Sequence, residues 1–313
     1  MADFATRLKL GLIFLTGCFL NTAHAAEYPT NFTNQGSIIN TRHNLTQSTT
    51  PVSGAMITVR NNYGEVCVYC HTPHGANDTP QVQKIPLWNR TYISNTYQTY
   101  DQLGTSSLNQ PVTQPGANSL ACLSCHDGTV AIDSIINMPG SGRYSATAKT
   151  SHDESHLDNN WANNAVYPGT TRSLNHHAIG PTSPGGGVGC MSCHSGPGGI
   201  EVGTDFSAFY IGTDLRNDHP VGILYPTTTG PGTDFNATTG TRGSLKFFDT
   251  NGNSRADTKE VRLYDTGEGY EVECATCHDP HGVPSGAPGS TFNPTFLRVA
   301  NAGSTLCLTC HIK

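Results

Sequence analysis

Hydrophobic and polar positions along this chain show little regular periodicity. Apolar spacing typical of a helix is confined to short stretches around five cysteine-containing motifs, each long enough for about two or three turns. Between them lie runs of Gly, Pro, Thr and Asn, such as "GPGTDFNATTGT" at residues 230–241, which are typical of loops. The pattern therefore predicts a mostly irregular fold, with short α-helices at the motifs and little β structure.

An apolar run, Leu10–Leu20, lies near the N-terminus. Basic residues precede it and small residues at Ala23–Ala25 follow it, which is the layout of a secretory signal peptide and too short for a stable membrane span. We expect residues 1–25 to be removed and the protein to reach the cell surface or the medium through a periplasm. The string "LTGC" (Leu15–Cys18) resembles a bacterial lipobox, so a lipid anchor on Cys18 is the alternative. No later segment is apolar enough to cross a membrane.

The composition is unusual for a chain of 313 residues, since 35% of them are hydrophobic, 13% are charged, and 34 are Gly and 19 are Pro. Such a chain has too few aliphatic side chains for an ordinary core, yet it lacks the charge density of a disordered tail. Something other than its own side chains is therefore expected to fill the interior. The formal net charge is −6 without a basic stripe, which argues against nucleic acid as a partner.

Ten of the eleven cysteines form five CxxC pairs, and a histidine follows each pair at once. The remaining cysteine, Cys18, lies in the N-terminal apolar run. The pairs are Cys67/Cys70, Cys122/Cys125, Cys190/Cys193, Cys274/Cys277 and Cys307/Cys310, and the histidines are His71, His126, His194, His278 and His311.

This CxxCH spacing suits the covalent attachment of haem. Two thiols separated by two residues can form thioethers with the two vinyl groups of one porphyrin, and the next residue can then bind the iron. Zinc ribbons also use CxxC pairs, and disulfides are a further alternative, but neither explains a histidine after every pair. We therefore predict five covalent haems c, whose large apolar rings take the place of a side-chain core.

Further histidines could close the sixth coordination position of each iron. His74 and His281 lie in matching strings, "CHTPHG" and "CHDPHG", and are placed to reach a neighbouring haem. His219 in "NDHPVG" and His177 in "HHAIG" each precede a turn that would hold the imidazole on a stiff loop. His43 lies upstream of every motif and is the fifth candidate.

Three other histidines are weaker candidates. His152 and His156 lie four residues apart and are expected to be solvated, although one of them could replace His177 as a ligand. His176 is expected to be a neighbour of a ligand rather than a ligand itself.

An internal repeat brackets the mature chain, which we interpret as a single multihaem domain over residues 26–313. Residues 67–126 contain CxxCHxPHG, then "PLWNR", then "ACLSCH", and residues 274–311 contain CxxCHxPHG, then "PTFLR", then "LCLTCH". The repeat predicts two paired-haem modules, at about 60–130 and 270–313, around a central haem-binding region at about 131–269.

The polar string "DTNGNSRADTKE" has the spacing of a calcium-binding loop. Position six of the loop is Ser254 instead of the usual glycine, and flanking helices are not evident, so a polar turn is the alternative. The candidate Ca²⁺ ligands, at loop positions 1, 3, 5, 9 and 12, are Asp249, Asn251, Asn253, Asp257 and Glu260.

The haem motifs and their flanks resemble those of the doubled-CxxCH multihaem cytochromes of dissimilatory metal-reducing bacteria, above all the tetrahaem extracellular cytochromes that polymerise into conducting filaments. The strings that carry the resemblance are "EVCVYCHTPHG", "ACLSCHDGTVA", "NDHPVG", "VECATCHDPHG" and "LCLTCH". The resemblance implies closely stacked haems, each with two histidine ligands, in a loop-dominated fold organised around the haem chain. It also implies that one ligand can come from an adjoining subunit.

Residue by residue, the resemblance assigns proximal and distal ligands of haem iron. The proximal roles go to His71, His126, His278 and His311, and the distal roles go to His43, His74, His219 and His281. The motif that ends at His194 has no counterpart in the tetrahaem pattern, and His177 is the first candidate for its distal ligand.

The sequence thus predicts a secreted pentahaem cytochrome that carries electrons to extracellular acceptors such as metal oxides. Its expected partners are other cytochromes or further copies of itself. It is not expected to be an enzyme, and no catalytic residue is predicted. The alternative function is a multihaem reductase of a small nitrogen or sulfur oxyanion, which would need one haem with an open coordination position.

Overall fold

A computed structural model describes most of the chain outside its N-terminal and central segments. The predicted signal peptide, Cys18 and the three weaker histidine candidates lie outside the described residues. Within them, no helix is long and apolar enough to cross a membrane. The described residues are 32–45, 65–106, 108–137, 178–183, 187–192, 194–195, 205–217 and 220–312.

Helical structure is short and concentrated at the motifs, each of which contains an α-helix or a 3-10 turn. The α-helices are α1 (Ala117–His126), α2 (Cys274–Cys277) and α3 (Thr305–Cys310). The 3-10 turns are Ile38–Asn40, Val66–Tyr69, Tyr100–Leu103, Cys190–Ser192, Pro294–Phe296 and Ala302–Ser304.

Two antiparallel sheets lie in the C-terminal half of the described chain. A two-stranded ribbon, β1 (Thr182–Ser183) and β2 (Gly187–Val188), directly precedes the third motif. The larger sheet has five strands in the order β3-β7-β6-β5-β4, and its last strand in the chain, β7, ends two residues before α2. Its strands are β3 (Ile223–Leu224), β4 (Gly240–Arg242), β5 (Leu245–Phe247), β6 (Arg262–Asp265) and β7 (Tyr270–Val272).

Buried apolar side chains in the described residues form three small clusters instead of one large core. Each cluster packs against a motif, since cysteines of the first and fourth motifs border them. Separate clusters agree with the low aliphatic content of the sequence. The clusters are Val68, Tyr69 and Ile135; Tyr97, Leu123, Leu215 and Val221; and Val82, Ile85 and Trp88.

The two copies of the internal repeat have the same local structure. In the first copy, the chain turns back after the motif and His71 forms a β-bridge with Trp88. In the second copy, His278 forms the matching bridge with Leu297. The returning segment therefore lies beside the histidine of its own motif in both copies.

Each returning segment ends in a buried arginine. Arg90 is fully buried and donates to the carbonyl oxygens of Ser124, within the second motif, and of Ala131 and Ile132, which follow that motif. Arg298 is 4% exposed and donates to the carbonyl oxygens of Ala275 and Thr258. These guanidinium groups tie the returning segments to neighbouring elements with several charge-assisted hydrogen bonds each.

The N-terminal described segment lies against the C-terminal module. The Phe292 N–H donates to the carbonyl of Asn34 at 2.7 Å, and Gln35 forms an antiparallel bridge with Thr291. This pairing carries His43 to the loop that follows the fourth motif.

Candidate haem sites

Seven of the nine described motif cysteines are partly buried, and Cys67 and Cys307 are exposed. None of the nine described pair members forms a disulfide. Burial raises the pKa of Cys70 to about 12 and that of Cys277 to about 11, so these thiols are neutral at physiological pH. Within the described part of the chain, no three His, Cys, Asp or Glu side chains group as a metal-ligand set, as a zinc ribbon would require.

Large apolar side chains are exposed beside the motifs. Leu87 is 52% exposed next to Trp88, Leu308 is 42% exposed within the fifth motif, and Ile312 is 39% exposed directly after it. An exposed Leu or Ile is ordinary by itself, and two others in the described residues, Ile39 and Leu103, lie away from the motifs. The three at the motifs are placed where an attached apolar ring would cover them.

Three of the predicted proximal histidines are oriented in the same way. In each, Nδ1 lies within hydrogen-bond distance of a backbone carbonyl, which favours the tautomer with a proton on Nδ1 and with Nε2 as the metal-binding nitrogen. The pairs are His71 with Pro86 at 2.8 Å, His126 with Phe209 at 2.7 Å and His278 with Thr295 at 2.7 Å.

His43 faces the histidine of the second motif. The ring centroids of His43 and His126 are 6.4 Å apart, and their planes are 87° from one another. His43 Nδ1 lies 3.0 Å from the carbonyl oxygen of Pro280, so this ring also keeps Nε2 free. Burial, together with the nearby His126, lowers the pKa of His43 to about 4, which keeps the imidazole in its neutral, metal-binding form.

His281 faces the histidine of the first motif. The ring centroids of His71 and His281 are 6.3 Å apart, with planes 8° from one another. His281 Nδ1 lies 2.9 Å from a carboxylate oxygen of Asp279, and this hydrogen bond raises the pKa of His281. The carboxylate thus fixes the ring as the backbone carbonyls fix the others.

The spacing of both pairs fits two imidazoles that share one metal. A bond from a metal to an imidazole nitrogen is about 2.0–2.1 Å, and the ring centroid lies roughly 1.1–1.2 Å beyond that nitrogen, so two such rings on opposite sides of a metal have centroids about 6.3 Å apart. The described residues therefore fit haem iron with two histidine ligands at the first and second motifs.

The structure describes only some of the remaining predicted site residues. The His194 ring stacks on Phe206 with centroids 4.3 Å apart, and the His311 ring lies 4.9 Å from that of Phe235. His74 is exposed, and within the described residues its ring is not paired with that of another histidine. Three predicted site residues, Cys193, His177 and His219, lie outside the described residues.

The motifs are not packed in chain order. The thiol of Cys122 is hydrogen-bonded to that of Cys274, which places the second motif against the fourth. Cys70 lies close enough to Cys125 for the two thiols to interact electrostatically, and Cys277 interacts with Cys307 in the same way. The cysteines therefore make motifs one and two, two and four, and four and five neighbours, and the His71–His281 pair also brings the loop after the fourth motif to the first.

The third motif lies beside the second. The Phe206 N–H donates to the carbonyl of His194 at 2.7 Å, and the Ile211 N–H donates to the carbonyl of His126 at 2.8 Å. The short segment between Phe206 and Ile211 therefore connects the two motif histidines.

The predicted calcium loop connects β5 to β6. Its polar side chains bond within the loop: the Asp249 carboxylate accepts three backbone N–H groups, and Asn251 and Asn253 both donate to Asp257 at 2.8 Å. Ser254 has a φ of +59°, the left-handed conformation that glycine usually supplies at this position. The carboxylates do not group as a metal site in the described residues, so calcium stays a prediction.

Glu260, the twelfth residue of the loop, is fully buried. One of its carboxylate oxygens accepts the N–H and the hydroxyl of Thr250, and the other accepts the N–H of Asp257. These hydrogen bonds connect the two ends of the loop.

Sequence analysis missed the residues that orient the histidines. Asp279 is 7% exposed and holds His281, and the carbonyls of Pro86, Phe209 and Pro280 hold the other rings. The shared "CHxPHG" strings and the repeated segments after them were a usable signal for two of these partners. Nothing in the sequence indicated Phe209.

Comparison with protein families finds one match. Residues 268–313 match the family described as the doubled CXXCH motif. A comparison with curated protein sequences finds no match. The doubled motif indicates covalent haem c and a c-type cytochrome with a role in electron transfer.

Proposed function

We propose that this chain is a secreted pentahaem c-type cytochrome that carries electrons between bis-histidine haems to extracellular acceptors such as metal oxides. The observation that carries the proposal is the pairing of His43 with His126 and of His71 with His281, at centroid spacings of 6.4 and 6.3 Å. Histidines on both sides of an iron leave no position for a substrate, and such sites suit electron transfer.

The protein residues hold, orient and shield the cofactors. Attached haem supplies a one-electron iron(III)/iron(II) couple. The cysteine pairs fix each ring covalently, and the Nδ1 hydrogen bonds hold the imidazoles in one orientation. Fixed ligands of this kind change little when an electron arrives, which favours rapid transfer.

The resemblance of the motifs to those of filament-forming cytochromes supports self-assembly, with copies of this chain as electron partners of one another. The N-terminal apolar run and the small-residue site after it support export.

Low-temperature EPR of the oxidised protein, followed by carbon monoxide added after reduction, tests whether the haems are closed. We expect low-spin iron at all sites and no carbon monoxide adduct, because two imidazoles occupy each iron. One high-spin haem that binds carbon monoxide would contradict the proposal and favour a reductase with one open site.

A further inference from the structure

We propose that the loop His278–His281 serves three haem sites, an inference that rests on the proposed function. His278 is the proximal ligand of its own motif. His281 is the distal ligand of the first motif, opposite His71. Pro280 positions His43 as the distal ligand of the second motif.

The first support is the fixed orientation of His281. Its side chain is 61% exposed, so burial alone does not hold it, yet its Nδ1 lies 2.9 Å from Asp279. Asp279 is itself bound by Arg298 at 3.0 Å, and both of these side chains are buried. A chain of charge-assisted hydrogen bonds therefore aims an exposed imidazole at His71.

The second support is the placement of His74, the other predicted distal histidine close to the first motif. His74 follows His71 by three residues and is exposed, and its carbonyl accepts hydrogen bonds from Thr72 and Asn137. The described residues bring the His281 ring, rather than that of His74, to the first motif.

The third support is the rigidity of the loop. Gly282 has a φ of +87°, and the Phe292 ring occupies the space that a Cβ at Gly282 would need. The Phe292 N–H in turn binds the N-terminal segment through Asn34. The loop is thus held between the returning segment of its own module and the segment that carries His43.

His281→Ala tests the assignment by opening one site. We expect one haem in five to become high-spin and to bind carbon monoxide, and added imidazole to restore the low-spin state. His281→Met is the second variant, in which a thioether keeps the iron six-coordinate and raises the reduction potential of one haem. Haem content by intact mass shows that each variant retains five haems.

Combining His281→Ala with the loss of one haem identifies which haem loses its ligand. Two matched variants that each lack one haem serve as the backgrounds for this. In Cys67→Ala/Cys70→Ala, which lacks the first haem, His281→Ala should open no additional site. In Cys307→Ala/Cys310→Ala, which also lacks one haem, the same substitution should still open one. Both variants and both backgrounds are read by EPR and by the carbon monoxide difference spectrum.

Different experimental results would overturn this inference and the proposed function. If the wild type is fully low-spin and His281→Ala remains so, the function stands and the inference is wrong. An effect of His281→Ala that persists without the first haem also overturns it. If the wild type already binds carbon monoxide, the proposed function is wrong, and the inference is judged by the additional site that His281→Ala opens.

Discussion

Glu273 directly precedes the fourth motif and is a buried acid with few hydrogen-bond partners. It is 2% exposed, one of its carboxylate oxygens accepts the Gly116 N–H at 3.0 Å, and the other has no hydrogen-bond partner. Burial, with smaller contributions from the neighbouring Cys274 and Glu271, raises its pKa to about 8. The folded protein therefore holds this carboxyl protonated at neutral pH.

This proton makes stability depend on pH. Because the folded pKa is raised above the ordinary value of 4.5, the stabilisation is complete below pH 4.5 and is lost as the pH rises toward 8. We expect the free energy of unfolding to fall by up to about 1.4 kcal/mol per pH unit across that window because of Glu273. Urea unfolding of wild type and Glu273→Gln at several pH values measures the difference.

Glu273→Gln should remove this dependence and be the more stable protein at pH 8, since glutamine mimics the protonated acid. The exposed Glu268 gives the matched control, Glu268→Gln, which should leave the pH profile of the wild type unchanged. Parallel profiles for wild type and Glu273→Gln would show that Glu273 is not the titrating group.

The returning segments after the "CHxPHG" strings depend on their arginines. Arg90 is fully buried, and its guanidinium bonds the hydroxyl and carbonyl oxygens of Ser124 and the carbonyls of Ala131 and Ile132. A lysine ammonium has no planar fork to reach all of these oxygens. Arg90→Lys should therefore destabilise the protein by about 2–4 kcal/mol.

Arg216→Lys is the control, because Arg216 forms a partly exposed ion pair with Asp214 at 2.8 Å. Exposed ion pairs contribute less than about 1 kcal/mol, so this variant should stay close to wild type. Denaturant midpoints with unchanged slopes compare the two substitutions. Similar losses of stability in both variants would mean that the buried hydrogen bonds of Arg90 contribute no more than an exposed ion pair.

Helices and strands could be predicted from the sequence only where a CxxCH motif indicates them. The CxxCH strings predict a helix of two or three turns at each motif. The structure has a helical segment at each of them, but only α1 is longer than two turns. The strands of the five-stranded sheet are two to four residues long, such as "LKF" in β5 and "RLYD" in β6. Alternation of apolar and polar residues over so few positions cannot be distinguished from a loop. The hairpin formed by β5 and β6 was therefore not predicted, and only the calcium-binding spacing of the loop between them was recognised.

At the scale of the molecule, motif contacts define an order of one, two, four and five, with the third motif beside the second. Removing one haem should change the reduction potentials of its neighbours, because nearby charges interact. Cys274→Ala/Cys277→Ala should shift two or more of the other haems. Cys190→Ala/Cys193→Ala should shift one.

Redox titration followed by NMR of the haem methyl groups counts the shifted haems in each variant. The two variants are matched, since each loses one haem. An equal count in both would contradict a side position for the third motif.

The residues of the candidate sites also differ in how far apart they lie in the sequence, and this determines which of them could be predicted. The cysteines and proximal histidines lie within five residues of one another and can be identified from sequence. The distal pairing cannot, because the hydrogen bond from His43 to Pro280 spans 237 residues. Nothing along the chain specifies which module meets the N-terminal segment.

That separation along the chain has a consequence for biogenesis. A chain that is exported and fitted with cofactors from its N-terminus completes Cys67–His71 long before residues 280 and 281 arrive. Under the proposed ligation, the first two irons wait half-coordinated until the last module folds against them. A chain that stops short of that module would leave both irons with one histidine each, so the last residues to be made would determine when the first haems close.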